Sequence, residues 1–103
     1  MSGTLLQINF KFNVPRADYE QAVSPLAGEY AKLAGLQWKI WLMNESDNEA
    51  GGIMMFKDEA SAKAYVKGPL AAKVTGHPAL SDFSVKTFEV MKAETAITRG
   101  PVK

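Results

Sequence analysis

Apolar and polar residues alternate along several stretches of the chain, and a period of two residues is typical of β-strands. The first stretch runs from Thr4 to Phe12 and collects its large apolar side chains on one face: Leu6, Ile8, Phe10 and Phe12. Alternation and β-branched or aromatic composition predict three more strands, at Leu36 to Asn44, Gly51 to Lys57 and Asp82 to Met91.

Between these strands the apolar period lengthens to that of a helix. Arg16 to Ala34 is the first helical stretch, and Gly35 is suited to end it in a left-handed conformation. Pro25 lies inside this stretch and predicts a break at Ser24-Pro25. The second helix, Glu59 to Lys67, follows Asp58 as its cap, and a short helical turn over Pro69 to Thr75 is compatible with the sequence.

The predicted order is β-α-β-β-α-β, which is the order of a ferredoxin-like α+β fold. Such a domain has a four-stranded antiparallel sheet with both helices on one face. We therefore predict a single domain over residues 1–103. Residues 92–103 lack strong periodicity and contain Gly100-Pro101, so they are predicted to form an extended C-terminal tail.

The second predicted strand carries both tryptophans, Trp38 and Trp41, and their spacing places them on opposite faces. Since the fold covers only one face with helices, an apolar patch would be left on the other, and a two-fold homodimer is the simplest way to cover it. By parity with Leu36, we place Trp38 on the helix-covered face. Trp41 and Met43 would then face the partner subunit, although both faces are apolar and the opposite assignment stays open.

Composition narrows the range of possible functions. Twelve basic and eleven acidic residues give a net charge of +1, which provides no basis for nucleic-acid binding. Without cysteine and with one histidine, the chain has no recognisable metal site. No apolar run reaches the length of a membrane span, and the N-terminus lacks the features of a signal peptide. A cytoplasmic protein that binds neither membrane nor nucleic acid is therefore the expectation.

Several segments resemble the YdhR-type family of monooxygenases, which belongs to the dimeric α+β-barrel superfamily. They are LLQINFKFN, GLQWKIW, EAGGIMMFKDEASAKAY and VKTFEV, with W-K-x-W at 38–41 and E-A-G-G at 49–52 as the most specific parts. The resemblance implies a homodimer with a pocket between sheet and helices in each subunit. It also implies oxygenation of an aromatic or quinol-like small molecule without a cofactor.

The candidate catalytic residues are His77, the one side chain whose ordinary pKa is near neutrality, and Tyr65, whose phenol can donate a hydrogen bond or a proton. Trp38 is the candidate for stacking against a flat ligand. Further substrate-binding candidates are Tyr30, Asn9 and Phe10. For each of them an ordinary structural role is the competing interpretation.

Two alternatives stay open at this stage. One is a non-catalytic dimer that binds a small apolar ligand, and the other is an isomerase or lactone-processing enzyme on the same scaffold. The oxygenase and the isomerase or lactone-processing enzyme both require a titratable side chain in the pocket. These two interpretations therefore depend on Tyr30, Tyr65 or His77 reaching it.

Overall fold

The computed structural model describes residues 3–102 and contains one antiparallel sheet with strand order β2-β3-β1-β4. The strands are β1 (Thr4–Phe12), β2 (Leu36–Asn44), β3 (Glu49–Phe56) and β4 (Leu80–Glu89). The helices are α1 (Arg16–Val23), α2 (Leu26–Ala31), α3 (Glu59–Val66), α4 (Pro69–Thr75) and α5 (Lys92–Ile97), and a short 3₁₀ turn covers Glu45–Asp47. The predicted ferredoxin-like α+β fold is confirmed. Among the described residues, no helix is both long and apolar enough to cross a membrane.

Local sequence signals determine where these elements begin and end. Pro25 separates α1 from α2, as predicted, because proline cannot supply the backbone hydrogen bond that a continuous helix needs. The Asp58 carboxylate accepts a hydrogen bond of 2.8 Å from the Ser61 backbone N–H and caps α3. Gly35 has φ of 82°, and a Cβ there would collide with Ser61. Glycine is required at this turn for both reasons.

The core lies between the sheet and α1–α4. Residues directly opposite each other in an antiparallel pair share a face, so the register shows which side chains point towards the helices. Leu6 of β1 lies opposite Met54 of β3, and both are fully buried. On the other side of β3, Lys39 of β2 lies opposite the same Met54. This helix-covered face therefore includes Lys39 as well as the apolar side chains of the core.

The predicted assignment of the two faces of β2 is wrong for Trp38, Trp41 and Met43. Leu36 pairs with Phe56 on the helix-covered face, but Trp38 pairs with Met55 on the opposite, open face. The register shifts between Leu36 and Trp38, which is a β-bulge, and one extra residue reverses the parity of everything that follows. Trp41 and Met43, which pair with Gly52 and Ala50, consequently lie under the helices.

The C-terminal segment differs from the predicted extended tail because it begins with helix α5. Lys92, Ala93 and Glu94 have favourable helix propensity, which allows a short helix to form without an apolar stripe. Beyond α5, the backbone carbonyl of Pro101 accepts a hydrogen bond of 3.0 Å from Trp38 Nε1. The segment thus connects β4, at one edge of the sheet, with β2 at the other edge.

Candidate functional site

A narrow cavity of about 20 Å³ lies between the helix-covered face of the sheet and helices α1–α4. It adjoins a larger open groove of about 460 Å³ that runs between α1 and β2. Tyr19, Val23 and Trp41 line both spaces, so these three residues form the boundary between the cavity and the groove. The cavity lining is Ile8, Phe10, Tyr19, Val23, Leu26, Tyr30, Lys39, Trp41, Gly51, Tyr65 and Val74.

Two buried tyrosines supply the polar end of the cavity. Tyr30 on α2 and Tyr65 on α3 have their hydroxyl oxygens 2.6 Å apart, which is a short hydrogen bond. Burial raises the pKa of both phenols, and the bond to Tyr65 raises the pKa of Tyr30 further. Both phenols are therefore protonated at neutral pH. One O–H donates within the pair, and the other proton is available for a third group.

Lys39 of β2 lies between two aromatic rings on the same face. Its Nζ is 3.4 Å from the ring centroid of Tyr30 and 3.8 Å from that of Trp41, and Trp41 packs edge-on against Tyr30. Gly52, across from Trp41 on β3, leaves space for the lysine chain, since a Cβ at this position would come within 2.8 Å of Lys39 Cε. The lysine chain thus fills the volume that a side chain at position 52 would take.

Burial lowers the pKa of Lys39 from 10.5 to about 7. The two ring faces favour the ammonium form and oppose part of this effect. Within residues 3–102 the lysine makes neither an ion pair nor a hydrogen bond. The uncharged amine of Lys39 is therefore accessible near neutral pH.

Tyr19 and Arg16 mark the outer part of the site. Tyr19 stacks on Phe12 with ring centroids 5.2 Å apart, and burial raises its pKa to about 12. Arg16, at the rim of the groove, forms ion pairs of 3.1 Å with Glu20 and with Glu45 of the β2–β3 turn. The groove therefore has an apolar interior and a charged rim.

The structure brings three of the predicted site residues together. Tyr30, Tyr65 and Phe10 all line the cavity, and Phe10 also contacts the rings of Tyr19 and Phe83. The requirement that a titratable side chain reach the pocket is therefore met by the two tyrosines.

Trp38, Asn9 and His77 lie elsewhere. Trp38 and Asn9 are on the open face, where Asn9 Oδ1 accepts a hydrogen bond of 2.9 Å from Gln7. His77 lies in the turn after α4, where its Nδ1 accepts a hydrogen bond of 3.1 Å from the Ala79 backbone N–H. It lines another pocket of about 100 Å³, which borders the cavity at Tyr19 and Val23 but does not include Tyr65.

Sequence reasoning missed Lys39. The signal was present, because a lysine two residues before Trp41 in an apolar strand must share a face with that tryptophan. Among the described residues, no group of three or more His, Cys, Asp or Glu side chains is arranged to hold a metal ion.

The family described as "Putative mono-oxygenase ydhR" matches residues 5–101, nearly the whole chain. The chain belongs to this family. Comparison with curated proteins gives no match. The predicted resemblance is thus confirmed at the level of the family.

Solved structures with the same fold share little sequence with the ydhR-family chain. A protein of unknown function from Nitrosomonas europaea, NE2512, has a TM-score of 0.75 at 19% identity, covering 88% of this chain and 91% of its own. SnoaB, a cofactor-independent oxygenase from Streptomyces nogalater, has a TM-score of 0.72 at 18% identity, with 89% and 96% covered. The haem degrader MhuD from Mycobacterium tuberculosis has a TM-score of 0.65 at 18% identity, with 84% and 95% covered.

Proposed function

We propose that this protein is a cofactor-independent monooxygenase that oxidises a phenolic or quinol-like aromatic small molecule. The observation that carries the proposal is the buried pair Tyr30–Tyr65 in a cavity that adjoins an apolar groove. The groove volume of about 460 Å³ falls within the range of small-molecule sites. Aromatic lining from Tyr19 and Trp41 suits a flat ring, and the tyrosine hydroxyls suit its oxygen.

The chemistry balances without an external reductant. A phenol with a free para carbon loses its proton, and the electron-rich phenolate adds dioxygen at that carbon. The peroxide then loses water and leaves a quinone, so that one oxygen atom enters the product and the other leaves as water. The ring supplies all four electrons that reduce dioxygen. In this scheme the free O–H of the tyrosine pair donates to the ligand oxygen and fixes the orientation of the ring.

A homodimer is part of the same proposal. On the open face, Ile40 is 50% exposed and Phe88 is 46% exposed, beside Trp38 and Leu5. Exposed apolar side chains that lie together on one sheet face favour burial against a second copy. We expect the two sheets to pack against each other about a two-fold axis, with the groove of each subunit on the outer, helix-covered side.

Oxygen consumption across a panel of phenols and hydroquinones tests the proposed activity. With isotopically labelled dioxygen, the wild-type protein should place one labelled atom in a quinone product. Tyr65→Phe should lower the rate by about 100-fold, the low end of the effect of removing one acid–base group. Trp38→Phe, outside the cavity, is the matched aromatic control.

The same panel separates the alternatives. Saturable binding of an aromatic ligand without oxygen uptake would identify a non-catalytic binding protein. Turnover of the ligand without oxygen uptake would identify an isomerase or lactone-processing enzyme. Either outcome would overturn the oxygenase proposal.

A further inference from the structure

Lys39 is the one charged side chain among the described residues that line the cavity. It sits on β2, reaches over Gly52 and ends between the faces of Tyr30 and Trp41. The lysines of the described ion pairs, Lys63 and Lys73, are on exposed parts of α3 and α4 instead. The position of Lys39 therefore needs a separate explanation.

The surroundings of Lys39 lack a negative charge. The other lining residues contribute aromatic rings, aliphatic side chains and the hydroxyls of Tyr19, Tyr30 and Tyr65, and none is a carboxylate. Lys39 is half-buried, and an ammonium group with reduced access to water and no counter-charge is disfavoured, so such a lysine loses its proton more readily or is stabilised by a bound anion. A ligand that donates its proton to the uncharged amine becomes an anion, and this anion then provides the counter-charge for the ammonium that forms.

We infer that Lys39 is the base of this site and accepts the acidic hydroxyl proton of a phenol or enol whose ring lies in the groove beside Trp41 and whose hydroxyl oxygen enters the cavity. This inference rests on the proposed function and specifies its substrate class: aromatic molecules with a weakly acidic hydroxyl. In the step, the ligand O–H bond breaks and its electron pair stays on oxygen. The proton binds the lone pair of Lys39 Nζ. The resulting phenolate and ammonium form an ion pair inside the cavity.

The other ionisable groups near the cavity are not suited to accept a proton near neutral pH. Tyr30 on α2, Tyr65 on α3 and Tyr19 on α1 all have a raised pKa because of burial and stay protonated near neutral pH. Arg16 and Glu20 lie outside, at the groove rim, and pair with each other. The lowered pKa of Lys39 supports the assignment, since it brings the amine into the range in which phenols are deprotonated.

The same lysine can complete the oxygenation. After dioxygen adds to the phenolate, the ammonium of Lys39 returns its proton to the peroxide. The O–O bond then breaks: the distal OH leaves as water with the hydrogen of the ring carbon, and the proximal oxygen stays on that carbon as the second carbonyl of the quinone. The lysine ends the cycle as the free amine, so it is neither consumed nor oxidised.

A nitrophenol probe tests the inference without any turnover, because its phenolate absorbs at longer wavelength than the neutral phenol. The titration is carried out about one pH unit below the pKa of the free probe, where roughly one-tenth of it is ionised. Wild-type protein should bind the probe largely as the phenolate, which lowers its apparent pKa by about one unit or more. Lys39→Met should bind the neutral phenol instead.

A second variant protects the test against misfolding. Gly52→Ala places a methyl group against Lys39 Cε and displaces the amine without removing it, so it should also reduce the bound phenolate. The matched controls are Gly28→Ala, where a Cβ meets nothing within 4 Å, and Lys32→Met, which removes an exposed lysine. Both should behave as the wild type. Equal phenolate signals in wild type and Lys39→Met, or no binding by any nitrophenol in a graded series, would overturn the inference.

Oxygen uptake distinguishes this failure from failure of the proposed function. A Lys39-dependent phenolate signal without oxygen uptake for any phenol would leave the base assignment intact and remove the oxygenase. Oxygen uptake by Lys39→Met at the wild-type rate, with an unchanged pH profile, would leave the oxygenase intact and remove Lys39 as its base.

Discussion

Replacing Lys39 with methionine should stabilise the protein at low pH and progressively less as the pH rises. The variant keeps a side chain of similar length and removes the amine. An unfolded lysine has a pKa of 10.5, whereas burial lowers the folded pKa to about 7. Below the folded pKa the native protein must hold a buried ammonium, and this cost is relieved as the pH rises through the window between the two values.

The magnitude follows from the same two values. The interval from 10.5 to about 7, at about 1.4 kcal/mol per pKa unit, sets an upper limit near 5 kcal/mol. The ring faces of Tyr30 and Trp41 hold the ammonium and return about 1–2 kcal/mol. We therefore expect the free energy of unfolding of Lys39→Met to exceed that of the wild type by about 3–5 kcal/mol at pH 6 and this advantage to shrink by about 2–3 kcal/mol by pH 9.5.

Urea unfolding followed by circular dichroism, at equal protein concentrations and several pH values, measures this difference. Changes in packing contribute an offset that does not depend on pH, so the slope is the diagnostic quantity. Lys32→Met, which removes an exposed lysine, should show a flat difference from the wild type. A constant stability difference between wild type and Lys39→Met from pH 6 to pH 9.5 would refute the assignment of a buried, unpaired amine.

Three further predictions concern the tyrosine pair, the open face and the α3 cap. Tyr65→Phe should lower the free energy of unfolding by about 1–3 kcal/mol, because it leaves the Tyr30 hydroxyl buried without its partner. In urea unfolding, the variant with phenylalanine at both positions should lose less than the sum of the two single variants. Simple additivity would contradict this coupling. Ile40→Glu should shift the protein to a monomer in light scattering, whereas Trp41→Glu should lower folding stability without weakening association of the folded chains. Equal loss of association would mean that the faces of β2 are misassigned. Asp58→Ala should lower the melting temperature more than Asp58→Asn, because asparagine keeps an oxygen that can accept the Ser61 N–H. An equal loss in both variants, measured by thermal unfolding, would show that the cap does not stabilise α3.

Most of the fold was accessible from the sequence because its signals are local. Period-two alternation located the strands, Pro25 located the break between α1 and α2, and Asp58 located the start of α3. Helix α5 was not predicted, since it is short and has no buried residue to produce an apolar period. A segment of this kind is specified by helix propensity and by long-range contacts, such as the hydrogen bond between Trp38 and Pro101. Such contacts leave no pattern in the neighbouring sequence.

The candidate site could be predicted only in part, because the register of β2 against β3 decides which β2 side chains face the helices. Tyr30, Tyr65 and Phe10 line the cavity because helix and strand periods point them towards the core, and their part in the site stays a prediction. His77 was selected for its ordinary pKa, and the turn after α4 places it at a different pocket. Asn9 was selected as a polar residue in an apolar strand, and a hydrogen bond to Gln7 on the open face satisfies it.

The β-bulge between Leu36 and Trp38 decides which side chains of β2 can take part in chemistry. Without the extra residue, Trp38 and Ile40 would point towards the helices, and Lys39 would point to the open face. The cavity would then hold two tyrosines with raised pKa values and no group that accepts a proton near neutral pH. Leu36 anchors the strand in the core, and the bulge then turns Lys39 and Trp41 inward together. One face of the W-K-x-W segment thus supplies Lys39, the proposed base, and Trp41, an aromatic wall of the cavity. The other face supplies Trp38 and Ile40 to the open surface of the sheet.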